Sequence, residues 1–462
     1  MTLIKNISGF RGTIGGENNE NLTPVYIVSS IAGFSKLIKE NNPNKNNLTV
    51  ITGRDGRKSG AMIQSIVNSV FSSMGINVID AGLSTTPTLC WGVLNNDAVA
   101  GLMITASHNP QEYNGLKFFN DEGEFLSKED VTKLIEYSEL KIHNFTQNES
   151  LGVISKYDDL IDDHIEAIIN LDILPLKEIK ELNLYVVADA INSGGAIALP
   201  KLLEKLNIKY KIINSEIEGV FNHTPEPLAE NLKDLSQEII NNNADFGIAV
   251  DPDVDRLVFF DENGKILGEE YTQVFCSDFV LSINNGNTVS TLSSSNALKD
   301  LTESYGSNYY FTPVGEMNVV KKMKEVNSIV GGEGGGGIIY PELHYGRDAL
   351  VGVALFLGLL VKKDCKVSNL KSDYPVYFMK KLKVLLKDDK IISKIFEDIT
   401  NKYSDLSPNT DDGVRIDFEE GWVHMRKSNT EPIVRIFSES KDQEKADNLA
   451  YKIQKEIVSL SN

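Results

Sequence analysis

The segment DPDVDR (251–256) places three carboxylates at alternate positions, directly after the strand-like run Phe246–Val250. Alternate side chains of an extended chain point to one side, so Asp251, Asp253 and Asp255 can converge on one cation where the loop curves. Hard oxygen ligands favour magnesium or calcium over zinc. A calcium-binding EF-hand fits less well, because its sixth position is Arg256 instead of a turn-forming Gly and both flanks are strand-like. A solvated acidic turn is the remaining alternative.

A second candidate is Ser107 in the segment TASHNP (105–110), which follows the apolar run Val99–Ile104. In α/β folds, ligands bind at the carboxyl ends of buried strands, and Ser107 is expected there. The adjacent His108 could accept a proton or orient a phosphate. A Ser-His-Asp hydrolase would need a G-x-S-x-G turn, which this segment lacks. A serine turn ended by Asn-Pro is the structural alternative.

The run GGEGGGG (331–337) surrounds one carboxylate with six glycines. Glycine lets a ligand approach the backbone closely, so Glu333, Gly334 and Gly335 are candidates to bind polyol hydroxyl groups. The run lacks the Lys of a P-loop and does not open a dinucleotide-binding unit as G-x-G-x-x-G would. A flexible surface loop is the alternative.

The segment RKSNTEP (426–432) combines cationic side chains with hydroxyl and amide groups. Its candidate ligand-binding residues are Arg426, Ser428, Asn429 and Thr430, and Arg435 follows three residues later. Arginine forms charge-assisted and often bidentate bonds to phosphate, so this turn suits a phosphate dianion. A polar turn between two strands is the alternative.

The overall charge narrows the choice of partner. The formal net charge is −19, which repels nucleic acid and anionic membrane surfaces, so a small-molecule partner is expected instead. A phosphate site in such a chain must concentrate cations locally. The turn at 426–432 does so, and Arg11 and Lys117 would add positive charge near a phosphorylated Ser107.

Several features favour a cytoplasmic location. The three cysteines form no C-x-x-C pair, which argues against a zinc site or a disulfide framework. The first residues do not have the apolar stretch of a secretory signal. The longest apolar run, Ala349–Val361, is too short to span a bilayer and predicts a buried helix.

The segments that must position these residues have the sequence pattern of alternating β/α units. Strand-like Leu48–Thr52 precedes helix-like Ala61–Met74, and the same pattern recurs twice further along. This predicts mixed α/β domains with largely parallel sheets, followed by a smaller α+β domain. The length of 462 residues suits three or four domains. We expect four: residues 1–150, 151–263, 264–370 and 371–462.

Taken in chain order, TASHNP, DPDVDR, GEGGGG and RKSNTEP resemble the four site loops of the α-D-phosphohexomutase family over essentially the whole chain. The opening MTLIKNISGFRGTIGG and the stretch GGIIYPELHYGRDALVG are most similar to the family's bacterial phosphoglucosamine mutases, with archaeal-type hexose-phosphate mutases close by.

This resemblance implies a phosphoserine enzyme. Phosphorylated Ser107 would give its phosphate to glucosamine 6-phosphate, and the resulting 1,6-bisphosphate would return the other phosphate to Ser107. Mg²⁺ would be bound by Ser107 and the three aspartates, with Arg11, Lys117 and Arg256 nearby. His108 and Lys117 are the candidates for the general base and acid. The resemblance further implies a glucose or glucosamine 1,6-bisphosphate activator and a monomer or homodimer.

The sequence also departs from the family. Many members have G-E-x-S-G-H in the sugar loop, where Gly335 and Gly337 stand here in place of the Ser and the His. One sugar hydroxyl contact and one possible proton-transfer His are therefore missing. His344 or Asp348 could compensate, and Glu316 is a further candidate for the sugar amine. A phosphomannomutase or phosphoglucomutase is the nearest alternative, and a noncatalytic sugar-phosphate binding protein is a more distant one.

Overall fold

The computed structural model describes residues 2–18, 20–140, 144–386, 391–427 and 433–461. Ser428, Asn429 and Thr430 therefore lie outside the described residues. Contacts divide the chain into two compact units, the first containing Met1–Thr272 and Gly335–Ser368, and the second Gln273–Gly334 and Asn369–Asn462. Each unit is thus assembled from two separate stretches of sequence.

In the described part of the first 156 residues, seven strands form one sheet and four α-helices accompany it. In chain order the elements are β1 (Ile4–Asn6), β2 (Gly9–Thr13), α1 (Pro24–Asn41), β3 (Thr49–Arg54), α2 (Gly60–Ser73), β4 (Asn77–Leu83), α3 (Thr86–Asn95), β5 (Ala100–Ile104), β6 (Tyr113–Phe119), α4 (Lys128–Ser138) and β7 (Ile154–Lys156). The strand order is β1-β2-β6-β5-β3-β4-β7. Thr23 and Thr85 cap α1 and α3, each followed by a proline in the first turn, which is a favourable helix start.

The prediction of largely parallel sheets is wrong for this sheet. Strands β3, β4, β5 and β7 pair in parallel, but β1, β2 and β6 form an antiparallel group, and β5 pairs antiparallel with β6. Residues 105–112 join β5 to β6 without an intervening helix, and so short a connection joins antiparallel strands. The candidate nucleophile Ser107 lies in this connection.

The second sheet has the same type of connection at the aspartate loop. Its elements are α5 (Leu160–Ile169), α6 (Leu176–Glu181), β8 (Tyr185–Asp189), α7 (Gly195–Lys205), β9 (Lys209–Ile213), α8 (Lys233–Asn241), β10 (Phe246–Val250) and β11 (Leu257–Asp261), with strand order β11-β10-β8-β9. Strand β8 pairs in parallel with β9 and β10, whereas β10 and β11 are antiparallel. Residues 251–256 form the turn between β10 and β11.

The middle of the chain contributes to both units. Its elements are α9 (Tyr271–Leu281), β12 (Thr288–Thr291), α10 (Asn296–Ser304), β13 (Tyr309–Thr312), α11 (Glu316–Val326), β14 (Val330–Glu333), β15 (Gly337–Ile339), α12 (Ala349–Lys363) and α13 (Val367–Leu370). In the second unit, β12 pairs in parallel with both β13 and β14. Helix α12 belongs to the first unit, and all its residues from Ala349 to Leu360 are buried, which confirms the expected buried helix.

The described residues of the C-terminal segment form a four-stranded antiparallel sheet and two α-helices. Its elements are β16 (Phe378–Leu385), α14 (Ile392–Lys402), β17 (Val414–Phe418), β18 (Gly421–Lys427), β19 (Ile433–Ser440) and α15 (Gln443–Leu460), with strand order β16-β19-β18-β17. The predicted fold class, α/β followed by a smaller α+β part, is confirmed. Among the described residues, no helix combines the length and hydropathy needed to cross a membrane.

Candidate functional site

Ser107 is buried and held in an uncommon backbone conformation. Its side chain is 2% exposed, and its φ of 49° lies in the left-handed region that non-glycine residues rarely adopt. The hydroxyl donates to Oδ2 of Asp251 at 2.8 Å and lies 3.3 Å from Nδ1 of His108. The β5–β6 turn therefore brings the predicted nucleophile directly to the aspartate loop, although Ser107 and Asp251 are far apart in sequence.

A buried arginine fixes this turn. The guanidinium of Arg57 donates to four carbonyl oxygens of the turn and its end: Ser107 (2.6 Å), Asn109 (2.7 Å), Pro110 (2.7 Å) and Tyr113 (2.9 Å). Its Nε donates to Oδ2 of Asp55 at 3.0 Å, and both side chains are fully buried. Asp55 and Arg57 were not among the candidate residues that the sequence indicated. The available signal was the motif G-R-D-G-R, which begins within β3 and continues past its end.

Thr105 connects this pair to Ser107. Its hydroxyl donates to Oδ2 of Asp55 at 2.7 Å and accepts the backbone N–H of Ser107 at 2.9 Å. The left-handed turn at Ser107 is thus held from both sides, by Thr105 at its N–H and by Arg57 at its carbonyl oxygen. A backbone conformation of this kind persists when its surroundings over-determine it, and such conformations cluster at functional sites.

The three aspartates of the second loop converge, as their spacing predicts. One carboxylate oxygen from each of Asp251, Asp253 and Asp255 lies within 4.8 Å of the others, and all three side chains are buried. Val254, between them, has a φ of 62°, which is an outlier for a β-branched residue. Burial raises the pKa of Asp251, and the negative charges of Asp255 and Asp253 raise it further. This crowding is the arrangement that a cation relieves.

Individual oxygen atoms show that the cluster fits a divalent cation. Oδ1 of Asp253 and Oδ1 of Asp255 are buried without a hydrogen-bond partner among the described residues. Oδ2 of each is engaged: Lys117 Nζ lies 2.5 Å from Asp253 and 2.8 Å from Asp255, and Thr86 donates to Asp253 at 2.5 Å. The two unpartnered oxygens are hard donors of the type that Mg²⁺ prefers.

Lys117 remains a cation in this environment. Burial by itself would lower the pKa of Lys117, but Asp253 and Asp255 outweigh burial and raise the pKa to about 12. A lysine of such pKa is a poor proton acceptor at neutral pH. Its geometry instead suits charge neutralisation and the orientation of the two carboxylates.

Two further arginines lie around the turn at Ser107. Nη1 of Arg11 donates to the side chain of Asn109 at 3.3 Å, while Nη1 of Arg256 lies 3.6 Å from Glu226. Nε of each arginine is buried without a hydrogen-bond partner among the described residues. The positive charge of Arg256, followed by burial and by the charge of Arg11, lowers the pKa of His108 well below its usual value. His108 is accordingly neutral and has an unprotonated ring nitrogen, while the neighbouring positive charges weaken its affinity for a proton.

The glycine run is divided between the two units. In the second unit, Oε1 of Glu333 accepts the backbone N–H of Gly315 at 2.9 Å, and the N–H of Gly334 donates to Ser294 at 3.0 Å. In the first unit, Gly335 has a φ of 93°, which a residue with a side chain would adopt only at a cost. A Cβ built on Gly335 would lie 3.8 Å from Nη1 of Arg256.

Arg426 and Arg435 lie side by side on the C-terminal sheet. They are directly opposite each other in the β18–β19 register, so their side chains share one face. Nε of Arg426 lies 3.3 Å from Asp412, and Nε of Arg435 is buried without a hydrogen-bond partner in the described part of the chain. Like charges directly opposite each other are unfavourable, and a bound anion would offset that repulsion.

His344 and Asp348 lie in a buried cluster with His164. Oδ2 of Asp348 lies 3.1 Å from Nε2 of His164 and 3.3 Å from Nε2 of His344, and its Oδ1 caps α12. These three could form a metal site. However, a metal on Nε2 of His344 would leave a buried proton on Nδ1, for which the described residues supply no acceptor. His344 instead hydrogen-bonds to Asp348, and both side chains are buried, which favours a structural role for this pair.

Models of known protein families match this chain over most of its length. Four family models, described as domains I, II and III (alpha/beta/alpha) and the C-terminal domain of phosphoglucomutase/phosphomannomutase, match residues 3–143, 162–264, 268–377 and 366–456.

Individual relatives match over nearly the full length. A Thermococcus kodakarensis protein named phosphoglucomutase/phosphomannomutase is 37% identical over 94% of this chain and 95% of its own. A Sulfurisphaera tokodaii protein named phosphoglucosamine/phosphogalactosamine mutase is 30% identical over 97% of both chains. The crystal structure of a phosphoglucomutase/phosphomannomutase family protein from Burkholderia thailandensis has a TM-score of 0.83 at 22% identity, covering 99% of this chain and 97% of its own, which shows a shared fold.

Proposed function

Because this chain belongs to the phosphoglucomutase/phosphomannomutase family of hexose-phosphate mutases, we propose that it interconverts glucosamine 6-phosphate and glucosamine 1-phosphate. The reaction would pass through a phosphoserine at Ser107 and a 1,6-bisphosphate. The observation that carries the proposal is the buried Ser107 hydroxyl, 2.8 Å from Asp251. The loop of Asp251 has two carboxylate oxygens for which the described residues supply no hydrogen-bond partner.

In the first transfer, the bond between Oγ of Ser107 and phosphorus breaks as a sugar hydroxyl oxygen bonds to the phosphorus. The proton of that hydroxyl passes to a base, for which we propose His108, since its neutral imidazole lies 3.3 Å from Ser107. In the second transfer, the phosphate at the other end of the sugar returns to Ser107, and the proton goes back to the sugar oxygen. Phosphoryl transfer needs mainly positioning and charge neutralisation.

Each charged residue has a proposed part in that neutralisation. Bound to Asp251, Asp253, Asp255 and the phosphate on Ser107, Mg²⁺ would offset the charge of the transferring phosphoryl group. Lys117 holds two of the carboxylates in place. Arg11 and Arg256 each have a buried Nε without a hydrogen-bond partner in the part of the chain that the structure describes, and this Nε is available to a phosphate oxygen.

Sugar recognition is proposed for the glycine run, and phosphate recognition for the C-terminal sheet and the turn that follows β18. We assign sugar contacts to Glu333, Gly334 and the neighbouring Gly335, and phosphate contacts to Arg426 and Arg435. Ser428, Asn429 and Thr430 remain proposed phosphate ligands that lie outside the described residues. The four predicted domains, at 1–150, 151–263, 264–370 and 371–462, would then carry phosphoserine, metal, sugar and phosphate in that order.

A second candidate substrate class is supported by one comparison. The relative named phosphoglucomutase/phosphomannomutase is more similar, at 37% identity, than the one named phosphoglucosamine/phosphogalactosamine mutase, at 30%. Glucose or mannose phosphate is therefore the alternative. A carboxylate such as Glu333 or Glu316 would favour a cationic amino sugar, but an exposed contact of this kind contributes only about 0.2–1 kcal/mol.

Two measurements test the proposal. Incubation with glucose 1,6-bisphosphate should add one phosphate to the native protein by mass spectrometry and none to Ser107→Ala. Ser84→Ala is a matched control, since Ser84 is buried in the same unit and its hydroxyl has no hydrogen-bond partner among the described residues. Full mutase activity in Ser107→Ala would refute the mechanism.

The substrate is tested by a coupled assay with glucosamine, glucose and mannose 6-phosphates, each primed with bisphosphate. The amino-sugar proposal predicts the highest kcat/KM for glucosamine 6-phosphate. A higher value for glucose or mannose 6-phosphate would replace it with the alternative.

A further inference from the structure

Arg347 reaches the aspartate loop, although sequence analysis gave it no role. Its Nη2 lies 2.8 Å from Oδ2 of Asp255, and its side chain is 12% exposed. The backbone is fixed beside β15, since Arg347 bridges Ile339 and the next residue, Asp348, donates its N–H to Ile338. This arginine therefore extends from a fixed backbone to one of the three candidate metal ligands.

The space that the Arg347 side chain occupies exists because residue 337 is a glycine. A Cβ built on Gly337 would lie 2.4 Å from Cδ of Arg347, 3.2 Å from its Cγ and 3.5 Å from its Nε. Real Cβ atoms do not approach another atom to 2.4 Å, so any side chain at 337 must displace Arg347. Gly337 lies in strand β15 outside the left-handed region, and its backbone conformation therefore does not itself require glycine.

We propose that Gly337 and Arg347 together form one unit, the Gly337–Arg347 unit, that orients Asp255 for Mg²⁺. This inference rests on the proposed function. Arg347 lies in the space left by Gly337 and engages Oδ2 of Asp255, which leaves Oδ1 for the cation. Arg347 is thus a positioning residue that acts through Asp255.

The hydrogen-bond partners of Asp253 and Asp255 support this division of roles between Oδ2 and Oδ1. Oδ2 of Asp253 is held by two donors, Thr86 and Lys117, and Oδ2 of Asp255 is likewise held by two, Lys117 and Arg347. In both residues Oδ1 is the buried oxygen without a hydrogen-bond partner in the described part of the chain. Lys117 contacts both carboxylates, and Arg347 adds a second donor at Asp255. Outer-shell partners of this kind orient metal ligands, and their loss typically weakens binding 10- to 100-fold.

The test is a double-mutant cycle on Mg²⁺ affinity, measured by calorimetry without sugar. The four proteins are the native chain, Gly337→Ala, Arg347→Ala and the double variant, each treated with phosphatase to remove phosphate from Ser107. We expect each single variant to bind Mg²⁺ about tenfold more weakly, and the double variant to be no weaker than Arg347→Ala, because the added methyl then has no arginine to displace.

Three results would overturn the inference. Unchanged affinity in Arg347→Ala would remove its orienting role, and tighter binding would show that Arg347 competes with the cation. Independent losses that multiply in the double variant would show that Gly337 acts by another route. Arg347→Lys keeps the charge without the two-nitrogen fork, and should bind Mg²⁺ with intermediate affinity. Equal unfolding midpoints in urea identify the variants that are folded, so that affinities are compared only among these.

The outcome is separable from that of the proposed function. A native chain that binds Mg²⁺ in the expected cycle but lacks mutase activity would refute the function and leave the Gly337–Arg347 unit in place. A native chain with mutase activity and equal Mg²⁺ affinity in all four proteins would refute only the unit.

Discussion

Replacing Thr105 by valine tests whether the turn at Ser107 must be held for phosphoryl transfer. Valine has nearly the same shape as threonine but lacks the hydroxyl. Thr105→Val therefore removes the acceptor of the Ser107 N–H, at 2.9 Å, and the donor to Asp55, at 2.7 Å. Arg57 and its bonds to the turn are left in place.

The magnitude follows from the burial of these groups. A buried N–H that loses its only acceptor costs about 1–3 kcal/mol. Ser107 is also left-handed, with φ of 49°, which disfavours the native turn by roughly 1–2 kcal/mol relative to ordinary backbone conformations. We expect the variant to lose about 2 kcal/mol of stability. If the transition state is destabilised by the same amount relative to the enzyme–substrate complex, kcat falls roughly 30-fold.

The assay compares kcat and the urea unfolding midpoint in three variants. Thr52→Val is the matched control, because Thr52 is also buried, lies on the neighbouring strand β3 and donates to Asn68 at 2.8 Å. It should lower the midpoint while leaving kcat unchanged. Thr105→Ser restores the hydroxyl and should recover both quantities. A kcat within twofold of native in a folded Thr105→Val protein would refute the reasoning.

Three further predictions concern other parts of the chain. Asp253→Asn should weaken Mg²⁺ binding in calorimetry at least tenfold, whereas Asp189→Asn, which changes a buried aspartate outside the cluster, should not; equal affinities would contradict the metal assignment. Arg435→Ala should raise KM for the phosphosugar about tenfold with little change in kcat, and Arg435→Lys should recover part of it; an unchanged KM would remove Arg435 from phosphate binding. Burial lowers the pKa of His424 to about 4, so between that pH and about 6.5 the unfolded chain holds a proton that the folded chain does not. The free energy of unfolding should therefore fall by up to about 3 kcal/mol as pH drops through this range, and a chemical denaturation series with the same slope in His424→Gln would contradict it.

Two of the candidate site loops are predictable from the sequence, because each follows a recognisable strand. The run before Ser107 and the run before Asp251 are apolar and fully buried, as β5 and β10 are in the structure. The spacing of the three aspartates also predicted their convergence. Strand burial and the alternation of side chains depend on short segments, so the sequence of each segment predicts them.

The residues that hold the loops were not predictable in the same way. Arg57 contacts a turn about fifty residues away, and Arg347 contacts Asp255 from the far side of the glycine run. Their types are common, and only the folded chain shows that one guanidinium meets four carbonyl oxygens. Strand direction is equally non-local, since the pattern of β6 does not reveal that it runs antiparallel to β5.

The divided sequence of the first unit has a consequence for synthesis. Helix α12, with its fully buried apolar surface, and Arg347 belong to the segment 335–368, which leaves the ribosome only after about sixty residues of the second unit. At roughly 5–20 residues per second, that is a delay of several seconds. During this interval the earlier part of the first unit is exposed without the helix that completes its core. The nascent chain therefore has a period in which chaperone binding is most useful, and it ends when α12 emerges.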